Sequence, residues 1–183
     1  GKLDWLNSQY IKRMELDELA NKVLPFIEAK GYSISDIDLL KKAVLSFKER
    51  SKTLVEMAEL SAFYFCDEIV YEESAAKKFL TGDSLNFFEE IIHFLSKEAI
   101  LKKESNHLLI QRLSESKNEP LVKIAQPLRV ALTGRTVSPP IDEVMEVLGK
   151  EKVIQRLKKA VEYIQKSEIR ISKSETNPND QIF

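Results

Sequence analysis

Apolar residues recur at three- and four-residue steps along most of the 183-residue chain, the spacing of one buried helical face, and almost no segment reads as a strand. Leu3, Leu6, Tyr10 and Met14 mark one stripe, and Leu19, Val23, Phe26 and Ile27 mark a second that ends at Gly31. Ser35 is placed to cap a third helix, with Asp38 at the capping-box position and Leu39, Leu40, Val44 and Phe47 turned inward. Thr53 and Glu56 repeat that box ahead of a fourth helix, which carries Leu54, Met57, Ala58, Phe63 and Phe65 toward Cys66. After the acidic stretch DEIVYEES, shorter helices are expected near 74–80, 84–98 and 105–116, then one over 119–132 closed by Gly134 as a left-handed cap. Two successive prolines make GRTVSPP an irregular loop, with Ser138 as cap and Pro139 as first residue of a helix that stops at Gly149. A last helix is expected over 151–165.

These elements predict an all-α short-helix bundle in two subdomains, 1–72 and 73–166, followed by a flexible polar tail over 167–183. Composition narrows the class. Hydrophobic residues make up 43% and charged residues 31%, which suits a globular protein and excludes a disordered or membrane-spanning one. The amino end has neither an initiator Met nor a secretory signal and reads as a segment from within a longer gene. A single cysteine, Cys66, allows neither a disulfide framework nor a cysteine-rich zinc site, so a reducing cytoplasm is the expected home. Net charge is -1, low for a nucleic-acid binder, but residues 121–173 carry 11 Lys or Arg against 6 Asp or Glu. That asymmetry is compatible with phosphate contacts and is weak on its own.

Catalytic chemistry is hard to find. The sequence holds no glycine-rich phosphate loop, no histidine pair at metal spacing and no nucleophile with a partner histidine, so neither a catalytic nor a metal site is expected. His93, within FFEEIIHFLS, reads as a core or boundary imidazole, and His107 as a solvated one. The pairs Glu72-Glu73 and Glu89-Glu90 are adjacent in sequence, cannot both face one site on a helix and read as solvated charges. The unusual segment is KIAQPLRVALTGRTVSPPI. Pro127 either kinks an apolar helix, at a cost of about 3 kcal/mol in a helix interior, or starts a new one. Gln126 and Arg129 flank it, and together they bring a donor-acceptor amide and a planar fork of donors, the tools needed to read an exposed base edge.

The runs KLDWLNSQYI (2–11), QPLRVALTGRTVSPPI (126–141) and EVLGKEKVIQRL (146–157) resemble, in order, the carboxy-terminal half of bacterial-type class I glutamyl-tRNA synthetases, and the similarity extends over 2–164. The chain departs from the family with SPPI where many members have SPGL. It also lacks the HIGH and KMSKS motifs of that family's active site. The resemblance implies a superhelical helical cage, an amino-terminal part against the stem side of tRNA and a carboxy-terminal part around the anticodon. Its partner would be tRNA-Glu, with tRNA-Gln a further candidate, and not DNA or a membrane. The fragment would be a monomer that holds no cofactor and is inactive alone, whereas the parent ligase would use ATP and Mg.

By position, Arg50 matches the family's reader of the third anticodon base, and Gln126, Arg129, Ser138, Pro139 and Ile141 match residues around the first two. Trp5 matches an aromatic near the tRNA body, with a buried Trp locking the first helix as the alternative. The alternative for Arg50, given less weight, is a solvated helix-end arginine favoured by the helix dipole. The resemblance calls for a donor-rich hollow shared by Arg50, Gln126 and Arg129. The competing function class is a helical protein-interaction module that never meets RNA.

Overall fold

Capping groups and left-handed turns cut the helical pattern into short pieces, and the computed structural model describes residues 1–98 and 100–175 of it. Among the described residues there are ten α-helices, one 3-10 turn and no strand: α1 (Lys2–Arg13), α2 (Leu16–Glu28), α3 (Ile37–Phe47), α4 (Leu54–Ser61), the 3-10 turn Ala62–Tyr64, α5 (Glu73–Phe79), α6 (Gly82–Lys97), α7 (Lys103–Lys117), α8 (Leu121–Thr133), α9 (Ile141–Leu148) and α10 (Lys150–Glu175). The all-α expectation holds.

Helices α2, α3 and α4 pack on one another through Leu19, Val23, Leu40, Val44 and Met57, and α10 lies along α6 and α8. The packing of α9 against α3, α7 and α8 joins the two groups, and the buried residues form one continuous cluster through both. Arg156 of α10 ties the same seam with polar bonds. Its side chain is 2% exposed, with Nη1 donating to the Leu132 carbonyl at 2.7 Å and Nη2 to the Phe63 and Cys66 carbonyls at 2.7 and 2.9 Å. Among the described residues no carboxylate forms an ion pair with it, and burial holds its guanidinium below the ordinary arginine value.

Local chemistry decides several boundaries that the periodicity misplaces. The α3 cap is Asp36, whose carboxylate accepts from the Leu39 amide at 2.9 Å, and not Ser35. Thr53 does cap α4, accepting from the Glu56 amide at 3.0 Å, while the Glu56 carboxylate reaches the Lys52 amide at 2.6 Å. Helix α10 continues to Glu175 where the polar sequence suggests an end near Gln165, and residues 176–183 of the expected tail lie outside the described residues. Gly134 closes α8 with φ 79°, and its carbonyl accepts from the Glu72 amide at 2.9 Å. Any side chain there would collide with the Val70 carbonyl, so the close approach of 66–72 to α8 requires glycine.

The stripe on α1 behaves differently. Leu3, Leu6 and Tyr10 are exposed, Phe26 of α2 is exposed as well, and only Ile11 of α1 is buried. A period marks a face able to be buried; burial also needs a partner.

Candidate nucleic-acid interface

Helix α8 buries Ile124, Leu128, Val130, Ala131 and Leu132 and leaves Lys123, Gln126 and Arg129, spaced by three residues, toward its outer side. The helix runs unbroken through Pro127, so Pro127 is an interior proline and not a new start. It withholds the amide that would bond the Lys123 carbonyl, loosening the turn that carries Gln126.

One turn on, Arg129 Nε donates to Ser138 Oγ at 2.9 Å, and the Ser138 hydroxyl donates to the Pro139 carbonyl at 2.7 Å. Ser138 is therefore the clasp of Arg129 and not a helix cap; Pro140, in extended geometry, occupies the cap position of α9. Thr133 secures the same corner, since its hydroxyl donates to the Arg129 carbonyl at 2.8 Å and accepts from the Arg135 amide at 3.2 Å. Burial draws the Arg129 guanidinium below its ordinary value, and its terminal amino groups carry no bonded partner among the described residues. They are free to donate. Pro139 and Ile141 are buried and support this loop from beneath.

Gln126 and Pro127 line a groove of about 770 Å³ bounded by the ends of α5 and α7 and the start of α6. The Gln126 Oε1 is enclosed with no donor among the described residues. A buried unpaired carbonyl costs about 1–3 kcal/mol, so any arriving N–H group that the amide can turn toward is favoured.

Arg50 stands elsewhere. It is exposed just past α3, with Nη1 donating to the Ser46 carbonyl at 2.5 Å. Ser46 also bonds the Tyr64 hydroxyl at 3.2 Å; burial pushes that phenol well above its ordinary value, and the charge of Arg50 opposes the rise. The next residue, Ser51, is 1% exposed and its Oγ has no partner among the described residues. Nothing in the periodicity could single it out. Neither Arg50 nor Arg129 lines the Gln126 groove. Two separate places therefore stand where one shared hollow is expected, and they are linked by α9, which touches both α3 and α8.

Trp5 is 64% exposed, which removes the alternative of a buried tryptophan locking α1. His93 is also exposed, on the outer side of α6 and not in the core. His107 is exposed but not solitary, because Nδ1 lies 3.2 Å from Asp142 Oδ2, and the neighbouring Asn106 donates to the Asp142 carbonyl at 3.0 Å. Glu72, Glu73, Glu89 and Glu90 are all exposed. Among the described residues no cluster of three or more His, Cys, Asp or Glu could hold a metal ion, and no helix is long and apolar enough to cross a membrane.

Comparison with known proteins matches this geometry to one family. Residues 18–161 match the anticodon binding domain. The chain is 44% identical over 163 residues to glutamate–tRNA ligase 1 of Syntrophus aciditrophicus, covering 89% of this chain and 34% of that protein. It is 39% identical over 166 residues to the glutamate–tRNA ligase of Desulfosudis oleivorans, covering 91% and 36%. It also superposes on the crystal structure of a glutamate tRNA ligase from Elizabethkingia meningosepticum in complex with its amino acid, with a TM-score of 0.78 and 26% identity over 88% of this chain and 32% of that one. The chain thus spans about a third of the length of the relatives it matches. With its helical cage and its arginine-bearing α8–α9 corner, the chain belongs to the anticodon binding domain family, among glutamate–tRNA ligases.

Proposed function

We propose that this chain binds tRNA and helps select tRNA-Glu by its anticodon, serving a longer glutamate–tRNA ligase whose remaining length carries the ATP- and Mg-dependent glutamylation. The observation that supports it most is the Arg129–Ser138 clasp. It fixes a guanidinium at the α8–α9 corner with terminal donors unspent among the described residues, as a base reader requires. Single-stranded loops offer unstacked bases whose pairing edges can be held at separate points, so two reading places are compatible with one loop.

Arg50 is assigned to the third anticodon base. Cytosine offers O2 and N3 acceptors to a side chain that only donates, whereas guanine turns N1–H and N2–H donors toward it. Wild-type protein should therefore prefer a glutamate anticodon, ending in C, over a glutamine anticodon, ending in G, by roughly tenfold or more. Arg50→Gln should bring that ratio toward one, because glutamine also accepts. A competition titration with tRNA-Glu and an anticodon-substituted form, at two salt concentrations, tests both parts of the proposal. Binding should weaken log-linearly with salt, by a slope of roughly 0.7 per single-strand phosphate contacted. Unchanged selectivity in Arg50→Gln removes the role of Arg50. Salt-independent binding of a protein partner, with no affinity for tRNA, would instead establish the interaction module.

A further inference from the structure

Resting on that reading, we propose that Asn106 of α7 is a positioning residue for the α8–α9 corner: it holds the start of α9, and through the two prolines that precede α9 it sets the Ser138 hydroxyl that orients Arg129. Lys103, Asn106 and His107 recur at three- and four-residue steps, so they share one face of α7, and each meets the first turn of α9. Lys103 Nζ lies 3.7 Å from Glu143 Oε2, His107 Nδ1 lies 3.2 Å from Asp142 Oδ2, and Asn106 Nδ2 donates to the Asp142 carbonyl at 3.0 Å.

Burial decides which of the three dominates. The Lys103 and His107 side chains are roughly half exposed, where water and salt screen such pairs. Asn106 is 1% exposed, so its amide has no solvent to turn to and its bond to α9 is the one that water does not replace. Between Asp142 and Ser138 stand only Ile141 and two prolines, whose rings hold φ at about −65°. Pro139 and Ile141 are buried as well. A tilt of the first α9 turn is therefore passed to Ser138 and not absorbed on the way. On the α8 side Thr133 pins the same loop, accepting from the Arg135 amide and donating to the Arg129 carbonyl, so the Arg129–Ser138 bond closes between two fixed ends. Arg50 depends on neither end, because its guanidinium donates to the Ser46 carbonyl of α3.

That separation supplies the test. Asn106→Leu has the same branched outline and no donor. In titrations of the full chain with the tRNA-Glu anticodon stem-loop, and with forms substituted at each anticodon position, the variant should lose roughly tenfold of its discrimination at the first two positions, the size of one base contact, and keep its preference for C over G at the third. A chain that is merely destabilised loses affinity for every form alike. In nitrogen-resolved NMR spectra the Arg129 Nε–H signal, sheltered by Ser138 in the wild type, should exchange faster with water in the variant. Asn106→Ala adds no atom to the site, should show the same pattern, and serves if the leucine chain does not fold. Unchanged discrimination at the first two positions, an equal loss at all three, or an unchanged Arg129 signal overturns the proposal. Arg129→Ala separates the two failures: when it removes discrimination at the first two positions and the Asn106 variants do not, only the positioning role falls, and when Arg129→Ala changes nothing the anticodon reading of this corner falls with it.

Discussion

Helices α1 and α8 carry comparable apolar periods, yet α8 sinks eight of its residues into the protein and α1 only Ile11. The difference lies in what flanks each helix. Around α8 the chain provides α5, α6, α7, α9 and α10 as packing partners, a glycine that admits the 66–72 segment, and Arg156 bonded to the Leu132 carbonyl at its carboxy end. Around α1 it provides little: Leu3, Trp5, Leu6 and Tyr10 stand between 44% and 76% exposed. The amphipathic pattern is a property of a segment, whereas burial is a property of the assembly. The helix bearing Gln126 and Arg129 is held by five neighbouring helices, which is what a reading surface needs to keep side chains in place.

The sharpest way to break this contrast is to excavate α8. Leu128 is fully buried, so Leu128→Ala removes a side chain and leaves a cavity, and stability should fall by about 2–5 kcal/mol. Urea denaturation followed by helical circular dichroism measures it. A loss below about 1 kcal/mol would mean that the α8 environment collapses readily and that the helix is not the rigid member.

Next in size is the polar tie. Arg156→Lys keeps the charge but cannot reach all three carbonyls with one ammonium, and each buried carbonyl left unpaired costs about 1–3 kcal/mol. The same denaturation experiment should show a loss of roughly 2 kcal/mol. Because the bonds of Arg156 span Phe63, Cys66 and Leu132, amide exchange should also quicken on both sides of the seam at once. Faster exchange on one side alone would make the seam a local contact and not a joint.

Helix type and approximate order were legible because a 3.6-residue period and a few caps suffice for them: Thr53, Gly134 and Gly149 end or begin helices where expected. What the period cannot show is which polar group wins a local competition. Asp36 outranks Ser35 because its carboxylate reaches the Leu39 amide, and Ser138 gives up capping because Arg129 offers it a charged donor. Nothing in its local sequence marks Arg156 as buried, and only the fold brings three distant carbonyls to it. Gln126 and Arg129 stood out by their place beside Pro127, and the other candidate contacts were named through the resemblance; the separation of Arg50 from the α8 corner, and the groove beside Gln126, required coordinates. Ser51 and Asn106 carry no sequence signal that distinguishes them from surface residues.

The smallest expected effect is on α1, and it is the most discriminating for the comparison. Leu6 is 44% exposed, so Leu6→Ala removes mostly solvated surface and should change unfolding free energy by no more than about 0.5 kcal/mol. Alanine is also the better helix former, which offsets part of the lost contact. Equality of the Leu6→Ala and wild-type urea midpoints would place the apolar side of α1 outside the core of this chain. A loss comparable to that of Leu128→Ala would require that side to be buried in solution, against α2 or against a second copy, and dilution separates these cases because only the second depends on protein concentration. Trp5 gives an optical check on the same point: at 64% exposure its emission should lie near that of the unfolded chain and shift little through the transition. A strongly blue-shifted native spectrum would show that the two helices are alike after all, each finding its partner.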